Sequence, residues 1–293
     1  MKSVIRLSDG LGNQLFQYAF AYSYARKTGR EVLLDPFFFG TFRSYQLERF
    51  AIDINRRFID LVWDYLLGFG PRKARRYKER YRNGKIKKGY QIVQEKQIMS
   101  YDASVYQCRE ASYFIGFWQT PLYFEEYYED IKRQFILKRS LGSRASNYAK
   151  QMKDKNSVSL HIRRTDYDRD INNACLDFFF YKEALKKMEE AVGDFTLFVF
   201  SDDKEFVKQK FNLHDYILVE EVTDIEEFDL MHRCKHHIVA NSTFSWWGAY
   251  LGENKGGVVF APVVDIWNED FYPKEWNLIP ANIPSNPESS VRK

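Results

Sequence analysis

The regular alternation of short apolar runs with helical stretches limits the folding options of this chain more than any other feature. Val158–Ile162, Phe195–Phe200, Tyr216–Val219, Ile238–Ala240 and 257–260 each read as short buried strands. The stretches 181–191, 204–211, 224–234 and 242–251 lie between them and carry the helical period. Strands that alternate with helices imply a parallel sheet with helices on its faces. The N-terminus repeats the pattern. Ser3–Leu7 is a strand, Ser8-Asp-Gly-Leu-Gly12 a turn, and 13–28 a helix with Leu15, Phe16, Ala19, Phe20 and Tyr24 on its apolar positions. Gly29 stops that helix. A second strand at Glu31–Leu34 completes a βαβ unit. Phe114–Trp118 reads as a further strand and 123–137 as an amphipathic helix.

The polar stretch Leu141–Ser146 is the best boundary, and 293 residues accommodate two moderate domains. The expected fold class is therefore α/β, with two Rossmann-type domains facing a central cleft. The first covers 1–145, with a basic insertion near 56–90, and the second covers 146–293.

Composition removes several functional classes. A net charge of +4 gives no global footprint for nucleic acid. The positive excess is local: ten Lys or Arg and one acid, Glu79, lie between Arg72 and Lys88. That run reads either as a solvated face or as a contact with an anionic membrane surface or acidic acceptor. Cys108, Cys175 and Cys234 lie far apart, which gives neither a disulfide framework nor a zinc signature. The first residues lack an apolar leader, and no run of 18 apolar residues occurs. The expected place is the cytoplasm, with peripheral contact to the inner face of a membrane through 72–88. With 25 Phe and 20 Tyr, the chain can fill a core and also line a sugar cleft.

Three strand ends carry polar groups, and in open α/β sheets ligands bind outside the carboxyl ends of the strands. His161-Ile-Arg-Arg-Thr-Asp166 follows one apolar run and Asn241-Ser-Thr-Phe-Ser245 another. Arginine forks suit phosphate oxygens, and hydroxyls at a helix start add neutral donors. The diphosphate of a nucleotide sugar fits that set. Alternation sends His161 and Arg163 to one face and Arg164 to the other. One arginine can then meet phosphate while the other is tied to structure by an acid such as Asp166. The loop Asp9-Gly-Leu-Gly-Asn13 lies between strand and helix, where glycine lets a ligand approach the backbone. It reads equally as a plain tight turn, with Asn13 as a cap. Ser201-Asp202-Asp203 reads as a hard-cation site or as a helix start capped by Ser201. His232 and His236 share a face if they lie on one helix, as zinc ligands do, although packing is the simpler fate. Trp246 and Trp247 read as core.

Gly10-Leu-Gly-Asn-Gln-Leu-Phe-Gln-Tyr-Ala19, His161-Ile-Arg-Arg-Thr-Asp-Tyr167 and Cys234–Leu251, in that order and spacing, closely resemble the α-1,2-fucosyltransferases of glycosyltransferase family 11. The resemblance implies a GT-B-like fold. It also implies inverting, metal-independent transfer of L-fucose from GDP-fucose to the 2-hydroxyl of a terminal β-galactoside, with no cofactor. It places Arg163 on the donor β-phosphate, His161 near the guanosine and Asn13 against fucose and phosphate. Ser242, Thr243 and Ser245 meet the pyrophosphate, and Gly12, Asn241 and Phe244 complete the donor set. An acid of Glu226–Asp229 meets guanine or ribose, with Asp229 ahead of Glu227. Asp9 and Asp166 join Arg163 and Asn13 as catalytic candidates, and Asp168 and Asp170 are further bases. Two departures stand out. The family usually has Gly-Gly where this chain has Ser8-Asp9, and glycine where it has Thr165. The competing readings are a non-catalytic nucleotide- or glycan-binding protein on the same fold and a metal-dependent phosphohydrolase built on Asp202-Asp203.

Overall fold

A computed structural model describes residues 2–36, 44–54, 90–164, 175–211, 215–252, 256–264 and 268–281. The chain divides into two compact units. The first is Met1–Arg139 with Asn268–Pro273, and the second is Ser140–Trp267 with Lys274–Lys293. The basic run 72–88, Asp166, Asp168 and Asp170 lie outside the described residues.

The first unit is built on a parallel four-stranded sheet: β1 (Lys2–Arg6), β2 (Glu31–Asp35), β3 (Gln91–Gln94) and β4 (Ser112–Ile115), in the order β2-β1-β4-β3. Helix α1 (Leu11–Thr28) joins β1 to β2 and starts two residues earlier than its apolar period suggests. Gly29 ends it in the left-handed region at φ 66°, donating its N–H to the Ala25 carbonyl. Every residue from Leu15 to Tyr24 is buried, so α1 is a central helix rather than a surface one. Phe20 stacks on Trp118 at 4.3 Å, and Phe16 meets Phe271 at 6.1 Å.

The stretch expected to be one helix over 123–137 is broken. Thr120 caps a 3₁₀ turn at Pro121–Tyr123, a second such turn covers Glu125–Tyr127, and only Tyr128–Gln134 is α-helical (α2). Proline at the start of the first turn fixes that entry. Strand β3 went unread because Gln91-Ile-Val-Gln94 is a largely exposed edge strand with no apolar run.

The second unit holds a parallel six-stranded sheet: β5 (Ser157–Ile162), β6 (Thr196–Ser201), β7 (Tyr216–Leu218), β8 (His236–Ile238), β9 (Val259–Val263) and β10 (Asn277–Pro280). Its order is β10-β9-β8-β5-β6-β7. The helices are α3 (Ser143–Asp154), α4 (Phe178–Val192), α5 (Lys204–Lys210), α6 (Asp224–Met231) and α7 (Thr243–Tyr250). Strand β5 is buried along its whole length, which explains its nearly continuous apolar character. One side of the sheet is filled by Val158, Leu160, Ile162, Phe180, Met188, Val199 and Ile238. The other is filled by Met152, Phe198, Phe200, Leu230 and Met231.

The second sheet reverses direction once and the first twice. In the first unit the chain runs from β1 outward to β2, crosses to the far edge at β3 and returns to β4 on the other side of β1. In the second it runs from β5 through β6 to β7, and β8 then lies on the other side of β5. Such reversals open a crevice at the strand ends, because the loops on either side leave in opposite directions.

Gly248 sets how closely α7 approaches α6. A Cβ there would lie 2.6 Å from the Met231 sulfur and 2.8 Å from its Cγ. Met231 is buried. Gly248→Ala should therefore overpack this contact and cost about 1–3 kcal/mol. A lower urea midpoint at unchanged m-value is the expected readout. An unchanged midpoint would mean that Met231 repacks freely.

Candidate active site at the strand ends

In the second unit the crevice between β5 and β8 is flanked by the two motifs that stood out in the sequence. Arg163 and Arg164 follow β5 directly. Asn241 and Ser242 follow β8 and lead into α7. The two arginines are fixed by the next strand end. Asp202, just beyond β6, forms an ion pair with Arg163, its Oδ2 lying 3.2 Å from the guanidinium Nε, and accepts the Arg164 backbone N–H at 2.9 Å. Arg164 turns the other way, lying over the Phe206 ring at 3.6 Å with its Nε 3.8 Å from Asp203.

The alternation expected for the pair is thus what the strand imposes. The acids that serve the arginines are Asp202 and Asp203, and Asp203 also caps α5 by accepting the Phe206 N–H at 3.0 Å. That corrects one reading. Ser201 is not the cap, since its hydroxyl accepts from the Asp203 N–H at 3.0 Å. The acidic pair also serves arginine and helix: Asp202 pairs with Arg163, and Asp203 caps α5 beside Arg164.

On the β8 side, Ser242 is the N-cap of α7, accepting from the Phe244 N–H at 3.3 Å. The helix points its N-terminal N–H groups and its positive dipole end toward the strand ends, a natural anion seat. Asn241 and Ser242 are buried, and Thr243 and Phe244 are half-buried. Ser245 is fully buried. Its hydroxyl accepts from the Ala240 N–H at 3.2 Å and lies 3.2 Å from the Ser242 carbonyl. It holds the turn. His161 is buried, with its ring 5.8 Å from Phe244, which in turn packs on Phe228 of α6 at 5.4 Å. This ring contact brings the β5 and β8 loops together with α6.

The acids of α6 have separate fates. Glu226 closes a capping box with Thr223 and accepts the Gly142 N–H at 2.8 Å; these bonds hold its carboxyl below the usual range. Glu227 is largely buried and pairs with Lys204 Nζ at 2.5 Å. Burial pushes its carboxyl up, against the pull of Lys204. Asp229 is buried and accepts from Arg233 Nε at 2.7 Å, two residues past the end of α6.

The histidine cluster is dispersed. His232 ends α6, whereas His236 and His237 open β8, so 232 and 236 share no helical face. Among the described residues no group of three His, Cys, Asp or Glu could hold a metal ion. His236 accepts the Val258 N–H, and His237 shares a hydrogen bond with the Ser159 hydroxyl at 2.8 Å. Burial drives His237 from 6.5 down to about 3. The unfolded chain thus takes up this proton first, and stability contributed above pH 6.5 is lost as pH falls toward 3. His237→Gln should flatten the fall of the urea midpoint between pH 6.5 and 4. An unaltered slope would show that other groups set the acid limit.

The first unit repeats the arrangement between β1 and β4. Asn13 lies in the first turn of α1 rather than at its cap, which is Gly10. Its Oδ1 accepts from Gln119 Nε2 at 2.9 Å, so the loop after β4 orients the amide of the loop after β1. Gly12 is buried beside it. Asp9 is exposed and adopts φ 65°, the left-handed conformation that glycine takes without strain and Asp tolerates.

Two fully buried glutamines of α1 tie these loops down. Gln14 donates to the Asp9 and Ser44 carbonyls, both at 2.9 Å, and accepts from the Gln46 N–H. Gln17 accepts from the Ser8 N–H at 2.9 Å and donates to the Gly116 carbonyl at 3.0 Å. The amide of Gln14 at the helix start is legible beside Asn13 in the sequence, whereas Gln17, Gln119, Glu95 and Asp202 as arginine brace are not. Of these four only Gln17 left a signal, as a polar residue among the buried positions of an apolar helix.

Comparison with known proteins gives the family and the fold. The sequence profile of Glycosyl transferase family 11 matches residues 71–280. An alpha-1,2-colitosyltransferase of Escherichia coli is 30% identical over 275 residues, covering 88% of this chain and 90% of that protein. The O-antigen biosynthesis glycosyltransferase WbnK of Escherichia coli is 30% identical over 287 residues, covering 87% and 92%. The crystal structure of fucosyltransferase NodZ from Bradyrhizobium superposes with a TM-score of 0.50 at 13% identity, over 85% of this chain and 92% of that one. That likeness gives the fold as α/β and GT-B-like, and no described helix is long and apolar enough to cross a membrane. By family match and by relatives along most of its length, the chain belongs to glycosyl transferase family 11.

Proposed function

We propose that this glycosyltransferase moves L-fucose from GDP-fucose to the 2-hydroxyl of a terminal β-galactoside, with inversion and without a metal or cofactor. The observation that carries the reading is the pairing of Arg163, braced by Asp202, with the Ser242-capped start of α7 across one sheet reversal. Departure of GDP builds negative charge on the β-phosphate. Arg163 and the donors of Ser242, Thr243 and α7 stabilise that charge electrostatically, which is the work a metal does elsewhere. His161 and Phe244 line the nucleoside side, Asn241 supports the turn, and Glu227 or Asp229 recognises guanine or ribose. Asn13 directs its amide at the sugar and phosphate. The acceptor hydroxyl attacks the anomeric carbon from the opposite face, and a carboxylate, Asp9 or Asp166, takes its proton. In this reading the second unit holds the nucleotide sugar and the first the acceptor.

A second reading concerns only the transferred sugar. One relative is named an alpha-1,2-colitosyltransferase. Colitose is L-fucose without its 3-hydroxyl, so the same diphosphate seat and the same 1,2 linkage serve both. Contact of the 72–88 run with anionic lipid belongs to the same proposal, since a lipid-linked acceptor would lie at a membrane surface.

Calorimetric titration with GDP, followed by GDP-fucose turnover on a panel of galactosides in EDTA, tests the reading. GDP binding with galactoside-dependent release of GDP, unaffected by chelator, is the expected result. Failure to bind GDP removes the donor assignment. Loss of turnover in EDTA removes metal independence. Preference for GDP-colitose over GDP-fucose selects the second sugar.

A further inference from the structure

We propose that a pocket in the first unit, walled by Glu95, Tyr101, Asp102, Trp118 and Tyr123, binds one pyranose ring of the acceptor glycan. The proposal rests on the transferase reading and names where its acceptor is held.

The pocket has a volume of about 210 Å³. Sites for drug-sized ligands span about 300–1,000 Å³, so this one suits a smaller unit such as a single sugar ring. It lies at the carboxyl ends of the sheet: Glu95 is the first residue after β3, and Trp118 follows β4 by three residues. The residue after Trp118 is Gln119, whose amide orients Asn13. One peptide bond and one hydrogen bond therefore link the wall of the pocket to the group placed against the reacting sugar.

The chemistry of the walls matches a pyranose, which has an apolar C–H face and a rim of hydroxyls. Trp118 and Tyr123 are buried, and Tyr101 stands half-exposed above Tyr123, with ring centroids 5.0 Å apart. Lys96 and Asp102 form an ion pair of 2.8 Å within the lining. The Trp118 indole N–H is buried without an acceptor among the described residues. Buried polar groups are almost always paired, so such a group calls for a partner that binds. A sugar hydroxyl oxygen is an acceptor of the right kind.

The pocket is also held in a conformation that costs energy. Trp118 adopts φ 59°, an outlier for a bulky residue. It is kept there by Glu95, whose two carboxylate oxygens accept the Phe117 N–H at 2.7 Å and the Trp118 N–H at 2.9 Å. Gly116 is required beneath, because a Cβ there would lie 2.5 Å from the Glu95 Cβ. Strain that the surroundings enforce in this way concentrates at binding and active sites. Burial pushes the Glu95 carboxyl up, and a hydroxyl donating to it would restore part of the lost solvation.

The test uses the intact enzyme and two readouts. The first is steady-state kinetics of Tyr101→Ala with acceptor and donor varied separately. Acceptor KM should rise at least tenfold while the affinity for GDP and the melting temperature stay at wild-type values. An acceptor KM within twofold of wild type overturns the proposal. The second is the indole ¹H–¹⁵N resonance of Trp118, assigned by its absence in Trp118→Phe, during titration with methyl β-D-galactopyranoside and a panel of other methyl glycosides. A saturable shift that Tyr101→Ala weakens is expected. A resonance that no glycoside moves overturns the proposal. If no galactoside is turned over, the transferase reading fails, and the indole resonance still decides whether the pocket takes a sugar.

Discussion

Arg163→Ala is expected to lower turnover by about 10²–10³-fold, the loss typical of one preorganised donor facing developing charge. Arg163 has two supports, the end of β5 and the Asp202 carboxylate on its Nε. Removing the side chain leaves both in place, and Asp202 still accepts the Arg164 N–H. The fold should therefore survive, and an unchanged melting temperature is part of the prediction. Arg163→Lys keeps the charge but loses the planar fork and the Nε contact, so it should recover only part of the rate. Single-turnover measurements with saturating GDP-fucose separate this effect from donor affinity. Near-wild-type turnover in Arg163→Ala would remove Arg163 from the chemistry.

A second large effect is expected on stability. Gln17→Leu preserves volume in a fully buried position but leaves the Ser8 N–H and the Gly116 carbonyl without their partner. Each orphaned group costs about 1–3 kcal/mol, so a loss of roughly 3 kcal/mol is expected. Because Gln17 bridges the loop after β1 to the loop after β4, the damage should be local to the crevice side of the first sheet. Hydrogen exchange at Ser8 and at Phe117–Gln119 should accelerate ahead of exchange in the second unit. A midpoint shift below about 0.5 kcal/mol, the scale of an ordinary surface substitution, would contradict this account.

The fold class and both polar strand ends were legible because they rest on local pattern. Apolar runs at 158–162 and 196–200 are buried on both faces, and their period identifies them without tertiary information. Gly29 could be read as a helix stop because its positive φ is a local matter. What was missed depends on contacts distant in sequence. The edge strand Gln91–Gln94 carries no apolar run, and it exists because β4 pairs with it. The expected helix over 123–137 gave way to turns because Thr120-Pro121 imposes a tighter entry.

The same distinction runs through the site. Arg163 and Ser242 announce themselves by residue type beside a strand end. The groups that orient the site do not. Gln119 lies 106 positions from Asn13, and Asp202 lies 38 from Arg164, where nothing in the local sequence marks a partner. Asp202-Asp203 reads as a candidate cation site in the sequence, which shows the two carboxylates but not the guanidinium groups they face.

The short return of Asn268–Pro273 to the first unit has a consequence for synthesis. Phe271 packs on Phe16 of the central helix, and the Asp270 carboxylate accepts the Tyr101 N–H at 3.0 Å. Domains usually fold in order as they leave the ribosome. Here the first unit stays unfinished until five of the six strands of the second have been made, since only β10 follows Pro273. During that interval one side of α1 waits without its cover. A nascent chain stalled before Asn268 would carry the β5 and β8 strand ends but an incomplete first unit, so the first unit settles only after most of the second has been made.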